Sequence, residues 1–497
     1  MKEKISQRKL LLSAATFVLF YVLLLLLVFL MVVINQPASW RDYFSGNISY
    51  ILLLCVCVFL LFAIIFYYYY FENKEFLSRQ KNVALILSVF LLSVALNYAF
   101  GRIAGTIYIR PVSMLPFMFV FLLNRRQAIM LNFVFSFLMY VIDRYTNNMV
   151  VFATTNQAYF SLVLNFACGT LGIFLAGRNK TRGGLMLTGM ILAIPSVVVI
   201  LLLTIPDIAS SGWIHYISAA GFGVVGCVTS AMFALALLPV FERLFNVLTV
   251  FRLSELTSTN APILVRLKTE APGTFNHSLI VAHLCESCAV AIGENAELTR
   301  AAGYYHDVGK LKQPDCFTEN QAQYNVHDEL TPELSADIIR SHATDGYELL
   351  TEAHMPEIIA DVAREHHGTL PIKYFYNKAV KMSGEELDPK EYSYLGPTPT
   401  TRIAAIVMIA DASEAAVRSL SDRSPANVER IVRGIIEERV DLDQFTECDI
   451  TLKELGIIKQ TIVDALSGVH HHRVKYPAIR FNRGRKAVEA NDSDEEK

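Results

Sequence analysis

Apolar runs of some twenty residues, separated by short polar breaks, fill the first half of the chain; beyond about residue 250 they give way to shorter stretches with helical apolar spacing. The apolar core of a bilayer takes about 20 mainly apolar helical residues to cross. The stretch "LLLSAATFVLFYVLLLLLVFLMVV", residues 10–33, meets that length without a charge. Similar runs at 49–71, 82–100, 106–123, 127–145, 157–177, 184–206 and 213–241 bring the expected number of spans to eight, the fourth being interrupted by Arg110, Pro111 and Pro116. Lys2, Lys4, Arg8 and Lys9 precede the first run, but its length and the lack of a small-residue cleavage site favour a span over a cleaved signal.

After an expected linker at 246–270, the apolar spacing of "HSLIVAHLCESCAVAIG" (277–293) and "LTRAAGYYHDVGKL" (298–311) predicts helices, and segments near 334–350 and 355–367 repeat the pattern. Pro and Gly mark the joints, as in "APGT" at 271–274. The predicted class is all-α: a polytopic transmembrane helical bundle over 1–245, then an all-helical domain over 271–480. The tail at 481–497 is acidic and without apolar periodicity, so it is expected to be disordered.

Charge separates the same two regions. Residues 1–250 carry 17 Lys+Arg against 7 Asp+Glu, whereas 251–497 carry 27 against 39. Short cytoplasmic loops are enriched in Lys and Arg. With eight spans and cytoplasmic termini, twelve basic residues fall inside (Lys2, Lys4, Arg8, Lys9, Lys74, Arg79, Lys81, Arg125, Arg126, Arg178, Lys180, Arg182) and four outside (Arg41, Arg102, Arg110, Arg144). That asymmetry predicts a cytoplasmic second half. Charges suited to a transport path are sparse, because Asp143 sits at a span end; Asn97, Asn132 and Asn165 are expected to hydrogen-bond neighbouring helices. Four Cys lie in spans and four face a reducing compartment, so no disulfide framework is expected.

Eleven of the twelve His lie after residue 250. His277, the pair His306-Asp307, His342, the pair His366-His367 and Asp411 all occur in apolar helical contexts, where an unsatisfied buried polar group costs about 1 to 3 kcal/mol. A cation would relieve that cost. One oxygen of Asp307 can serve His277, His306 and Asp411, and the other His342, His366 and His367, making two sites. Imidazole and carboxylate donors without thiolates suit manganese, iron or another first-row divalent ion. Two such ions a few ångströms apart can hold a bridging hydroxide as nucleophile, with no covalent intermediate required.

These residues carry a resemblance. "HDVGK" at 306–310 is similar to the signature of the HD hydrolases, and "APGTFNHSL", "YYHDVGKLKQPDCFTENQ", "HDELTPELSADIIRSHATDGYEL", "EHHGTLPIKYFY", "PTPTTRIAAIVMIADASEAAVRSL" and "HHRVKYP" resemble the PgpH-type multi-span HD phosphodiesterases. The resemblance implies cyclic di-AMP as substrate, linear pApA as product, and a bacterial cytoplasmic membrane with the HD domain inside. Family members usually carry a large extracytoplasmic domain after the first span. This chain has only "NQPASWRDYFSGNIS", 35–49, so sensing by that domain does not carry over.

Asp307 and Lys310 are the expected catalytic residues, Lys310 as a point charge for a phosphate oxygen. Gly309 and Gly368 allow close backbone approach near the site. Arg402 and Arg473 are weaker anion contacts, for which surface pairing is expected. His327, beside Asp328, mimics the signature but lies in a loop and is not counted as a ligand; nor are His283, His354 and His470 to His472. Cys285 and Cys288 read as core. A bilayer, a cyclic dinucleotide and a homodimer are the partners considered, and no nucleic-acid polymer. The rival functions are a cyclic di-GMP phosphodiesterase, which "HHGTLPIKYFY" does not support because it lacks a GYP element, and a membrane receptor that binds nucleotide without cleaving it.

Overall fold

A computed structural model of the chain describes residues 7–35, 40–145, 155–179, 181–205, 208–321 and 324–468. The acidic tail, His470 to His472 and Arg473 lie outside the described residues. Among these residues the fold is all-α, with one isolated bridge between Pro371 and Ser393, so the expected class is borne out.

The first half is built from α1 (Gln7–Asn35), α2 (Ile48–Glu72), α3 (Gln80–Ala104), α4 (Met114–Leu122), α5 (Arg125–Tyr145), α6 (Thr155–Ala176), α7 (Arg182–Thr204) and α8 (Ile208–Phe245). Its outward faces keep large apolar side chains exposed, among them Leu19, Leu52, Phe59, Ile194 and Leu202, as helices facing lipid do. Eight described helices are long and apolar enough to cross a membrane; seven lie in this half and the eighth, Pro272–Ile292, belongs to the second.

The expected fourth span, 106–123, is not one helix. Its helical part, α4, has nine residues and is about 14 Å long, well short of a bilayer core. The segment nevertheless crosses the bundle. Arg126 pairs with Glu72 near one end of α5, and Arg110 pairs with Asp143 near the other, about 26 Å away along the helix. Residues 110 to 124 cover that distance by joining an irregular stretch to α4. Irregular backbone survives at membrane depth only where protein surrounds it, and residues 110 to 119 are all buried. Ser230 Oγ of α8 accepts the Ser113 N–H at 3.2 Å, and Gly226 lets α8 approach, since a Cβ there would stand 2.7 Å from the Arg110 carbonyl oxygen.

Three other expectations change. Asp143 is buried, not a solvated span end: Arg110 binds both its oxygens at 2.7 and 2.9 Å and also reaches Ser161 Oγ at 3.2 Å. Asn132 does bond the neighbouring α6, at Phe166 O and Thr170 Oγ1, whereas Asn97 and Asn165 turn back on their own helices. The stretch 246–270 is also more than a linker. It forms α9 (Val250–Leu256) and α10 (Pro262–Glu270), whose Leu253, Leu264 and Leu267 enter the second core. Arg252 ties the halves together by donating to Glu242 O at the end of α8 and to His354 O in the second half.

That second half centres on α11 (Pro272–Ile292), surrounded by α12 (Ala296–Tyr305), α13 (Pro332–Glu352), α14 (Glu357–Glu365), α15 (Lys373–Ser383), α16 (Arg402–Arg418), α17 (Pro425–Asp441) and α18 (Leu452–Gly468). α11 is apolar because it is packed by neighbours on several sides, with Val281, Ala282, Cys285 and Cys288 in the core. Burial pushes the Cys288 thiol up to about 12, consistent with a core residue. Gly303 brings α12 onto α11: a Cβ there would stand 2.7 Å from Ala282 Cα.

Candidate dinuclear metal centre

Five helices deliver the seven sequence-derived donors to one place. His277 comes from the second turn of α11, His342 from the middle of α13, and Asp411 from α16. The two adjacent pairs do not continue their helices. His306 is the first residue after α12 and His366 the first after α14. The last carbonyls of a helix lack N–H partners, and each imidazole supplies one: His306 Nδ1 bonds Gly303 O and His366 Nδ1 bonds Ala363 O, both at 2.8 Å. His342 Nδ1 likewise bonds Ile339 O. With Nδ1 committed, Nε2 of each ring points inward, the arrangement that metal-binding His adopts.

Asp307 sits between two groups of donors. Its Oδ2 is 3.2 Å from His306 Nε2 and 3.7 Å from His277 Nε2, while Oδ1 is 3.4 Å from His342 Nε2 and 3.8 Å from His366 Nε2. His277, His306, Asp307 and Asp411 offer atoms within 4.8 Å of one another, and so do Asp307, His342, His366 and His367. His306 Nε2 is buried without a hydrogen-bond partner. Imidazole and carboxylate donors that converge in this way, without thiolates, fit two divalent ions.

Residues 47–249 match the family described as 7TM receptor with intracellular HD hydrolase, and residues 274–416 match the HD domain family. The cyclic-di-AMP phosphodiesterase PgpH of Listeria monocytogenes is 37% identical over 393 residues, which is 79% of this chain and 53% of that protein. The Bacillus subtilis protein of the same name is 38% identical over 74% of this chain and 51% of its own. The chain belongs to this 7TM-HD family. It spans about half the length of the curated relatives it matches. A crystal structure of the L. monocytogenes PgpH HD domain in complex with cyclic-di-AMP is 47% identical over 43% of this chain and 100% of that one, with a TM-score of 0.42.

Within this 7TM-HD chain the protonation states divide by position. Burial works against ionisation of Asp307, yet His306 and Lys310 hold its carboxyl well below the usual range; His277 and His306 do the same for Asp411. Burial pushes His366 down to about 3, and His342 and His367 also fall, so these three rings are neutral and ready to bind a cation. His306 differs. Burial would lower it, but Asp307 and Asp411 hold it up at about 10, and His277 is raised against burial by Asp411 and Glu414. A cation on this side must displace protons. Affinity is therefore expected to rise with pH up to about 10, by roughly tenfold per unit for each proton displaced. Titration calorimetry in buffers of different ionisation enthalpy would count those protons; pH-independent affinity would contradict the assignment.

Three residues that the sequence reading passed over complete the site. Glu414, three positions after Asp411 in "DASEAA", accepts from His277 Nδ1 and is itself reached by Arg418 at 3.4 Å. A carboxylate in an apolar helix was the signal that singled out Asp411, and it applied equally here. Such outer partners typically contribute 10- to 100-fold in metal affinity. Glu414→Gln is expected to weaken cation binding by about that factor, measured by metal titration. Glu319 receives Lys310 Nζ at 2.8 Å, and Lys310 also lies 2.8 Å from Asp307 Oδ2, so both its neighbours are carboxylates. Tyr394 stacks on His367.

The minor candidates settle elsewhere. Gly309 admits the backbone of α13, since a Cβ would stand 1.9 Å from His342 O; Gly368 has a positive φ of 54° beside Gln444, whose side chain accepts from Thr369 N. Arg402 pairs with Glu454 and Glu294. His327 is buried, with Nε2 on Cys316 O at 2.8 Å.

Proposed function

We propose that this chain is a membrane-anchored phosphodiesterase that hydrolyses cyclic di-AMP to linear pApA at a two-cation centre. The observation that carries the reading is the split of Asp307 between two four-donor groups, which share no other residue. The substrate class follows the relatives of that name, to which this chain is similar across both its halves.

His277, His306, Asp307 and Asp411 hold one cation and Asp307, His342, His366 and His367 the other, manganese or iron being the ions suited to these donors. When bound, the ions supply an activated water and neutralise charge at a phosphoryl group. The chain's own residues do the rest. Gly303, Ile339 and Ala363 carbonyls and the Glu414 carboxylate fix the four ring orientations. Lys310, held beside Asp307 by Glu319, contributes a fixed positive charge near the phosphoryl oxygens. No side-chain nucleophile is required.

The excess of Lys and Arg in alternate loops supports termini and an HD domain on the cytoplasmic face of a bacterial membrane. The decisive test incubates the purified full chain in detergent, loaded with manganese or iron(II), with cyclic di-AMP and cyclic di-GMP in separate reactions, and follows linear products. Preferential release of the adenine product is expected. Preference for the guanine compound would overturn the substrate, and metal-loaded protein that cleaves neither would favour the receptor reading.

A further inference from the structure

The donors of the centre are not equally enclosed. The side chains of His277, His306, Asp307, His342 and His366 are at most 4% exposed, whereas Asp411 is 13% and His367 22% exposed. Among the donors, that pair is the side most open to an arriving phosphodiester. Tyr394 stands there. Its ring lies over His367, with centroids 4.2 Å apart and planes 22° from parallel, and meets His342 edge-on at 6.0 Å.

Its position follows from backbone pairing on both sides of the His pair. The chain leaving His367 runs through Leu370 to Ile372 beside residues 392 to 394: Tyr394 N donates to Leu370 O and Ile372 N to Tyr392 O. At the far end of the same loop, Thr400 donates its N–H and hydroxyl to Glu365, the last residue of α14. The loop is thus fastened to both flanks of His366-His367, and a side chain on it keeps a fixed relation to them. Tyr394 makes no hydrogen bond through its hydroxyl among the described residues, although burial and the nearby charges of Lys310, Asp411 and Asp307 all act on that group. Tyr392, two residues earlier, spends its hydroxyl on Glu333 at 2.7 Å.

We infer that Tyr394 is a substrate-contacting catalytic residue whose hydroxyl donates a hydrogen bond to a non-bridging oxygen of the phosphodiester at the open face of the centre. The inference rests on the phosphodiesterase reading above. No proton is transferred in this role: the phenol stays neutral and the hydrogen bond it donates strengthens as charge grows on the phosphoryl oxygen. Stacking on His367 holds the ring in place, so little freedom is lost when substrate binds.

Tyr394→Phe separates hydroxyl from ring. In the full chain, purified in detergent and loaded with manganese, this variant is expected to keep its metal content and its stacking, to lose about 100-fold in kcat with a smaller change in KM, and to bind inorganic phosphate several-fold more weakly by calorimetry. Turnover within twofold of the parent, or a loss that tracks lost metal, would overturn the role. Should the parent cleave neither cyclic dinucleotide, the functional reading fails by itself, and the phosphate titration still decides this one. Equal phosphate affinity in parent and variant refutes the contact; weaker affinity in the variant upholds it.

Discussion

Asp307→Ala is expected to strip both cations from the protein and to lower phosphodiester turnover by at least about a thousandfold. Each donor group loses its shared oxygen at once, because Asp307 is common to both. Every other donor belongs to one group, so a change such as His342→Ala takes one ligand from one group. Charge stabilisation at a phosphoryl group by bound cations amounts to several kcal/mol, and about 4 kcal/mol corresponds to about a thousandfold in rate. The substitution also frees Lys310, whose Nζ would keep only Glu319 as a charged neighbour. Metal content by elemental analysis and product release under saturating manganese give independent readouts. Retention of two ions per chain with near-parent turnover would remove the basis for a shared-carboxylate centre.

How much of this was legible in the sequence depends on the range of the interaction. Spans are written locally, as runs of apolar residues, and seven of the eight expected ones are continuous helices. The eighth broke where Pro111 and Arg110 already interrupted the pattern. The candidate donors were legible too, and the seven His and Asp picked out in apolar helical contexts are brought together by the fold. What could not be read was pairing across the fold. Asp143 does sit near a span end, but its burial was not legible because its partner Arg110 lies 33 positions earlier, on an irregular stretch with no periodicity. Tyr394 was missed for a similar reason: an aromatic in the loop "YSYLGP" carries no local signal, and only the pairing of 370–372 with 392–394 sets it on His367. The adjacent pairs His306-Asp307 and His366-His367 were expected within apolar helical contexts. Both adjacent pairs instead mark helix ends, where a ring can cap the helix it terminates.

The intramembrane pair offers the second large effect, on stability rather than turnover. Arg110 and Asp143 are both essentially inaccessible, and the pair is bidentate. Asp143→Asn would leave a buried guanidinium without its counter-charge, with one amide oxygen and Ser161 Oγ as its remaining side-chain acceptors. Breaking one side of a buried ion pair costs about 3 to 5 kcal/mol, because the other charge stays desolvated. For a body of this size that is roughly a 10 °C fall in the thermal midpoint, read by a scan in detergent. The local consequence is more specific. Arg110 ends the irregular half of the fourth crossing, so losing its anchor releases the stretch leading into α4. Replacing both charges together, as Arg110→Met with Asp143→Leu, removes the penalty along with the pair, and apolar substitutes of similar volume are often neutral or better. The double variant is therefore expected to be more stable than the single one. Were the single variant to melt with the parent, the pair would not anchor the crossing; were the double variant to fall further still, the two charges would hold α4 by something other than each other.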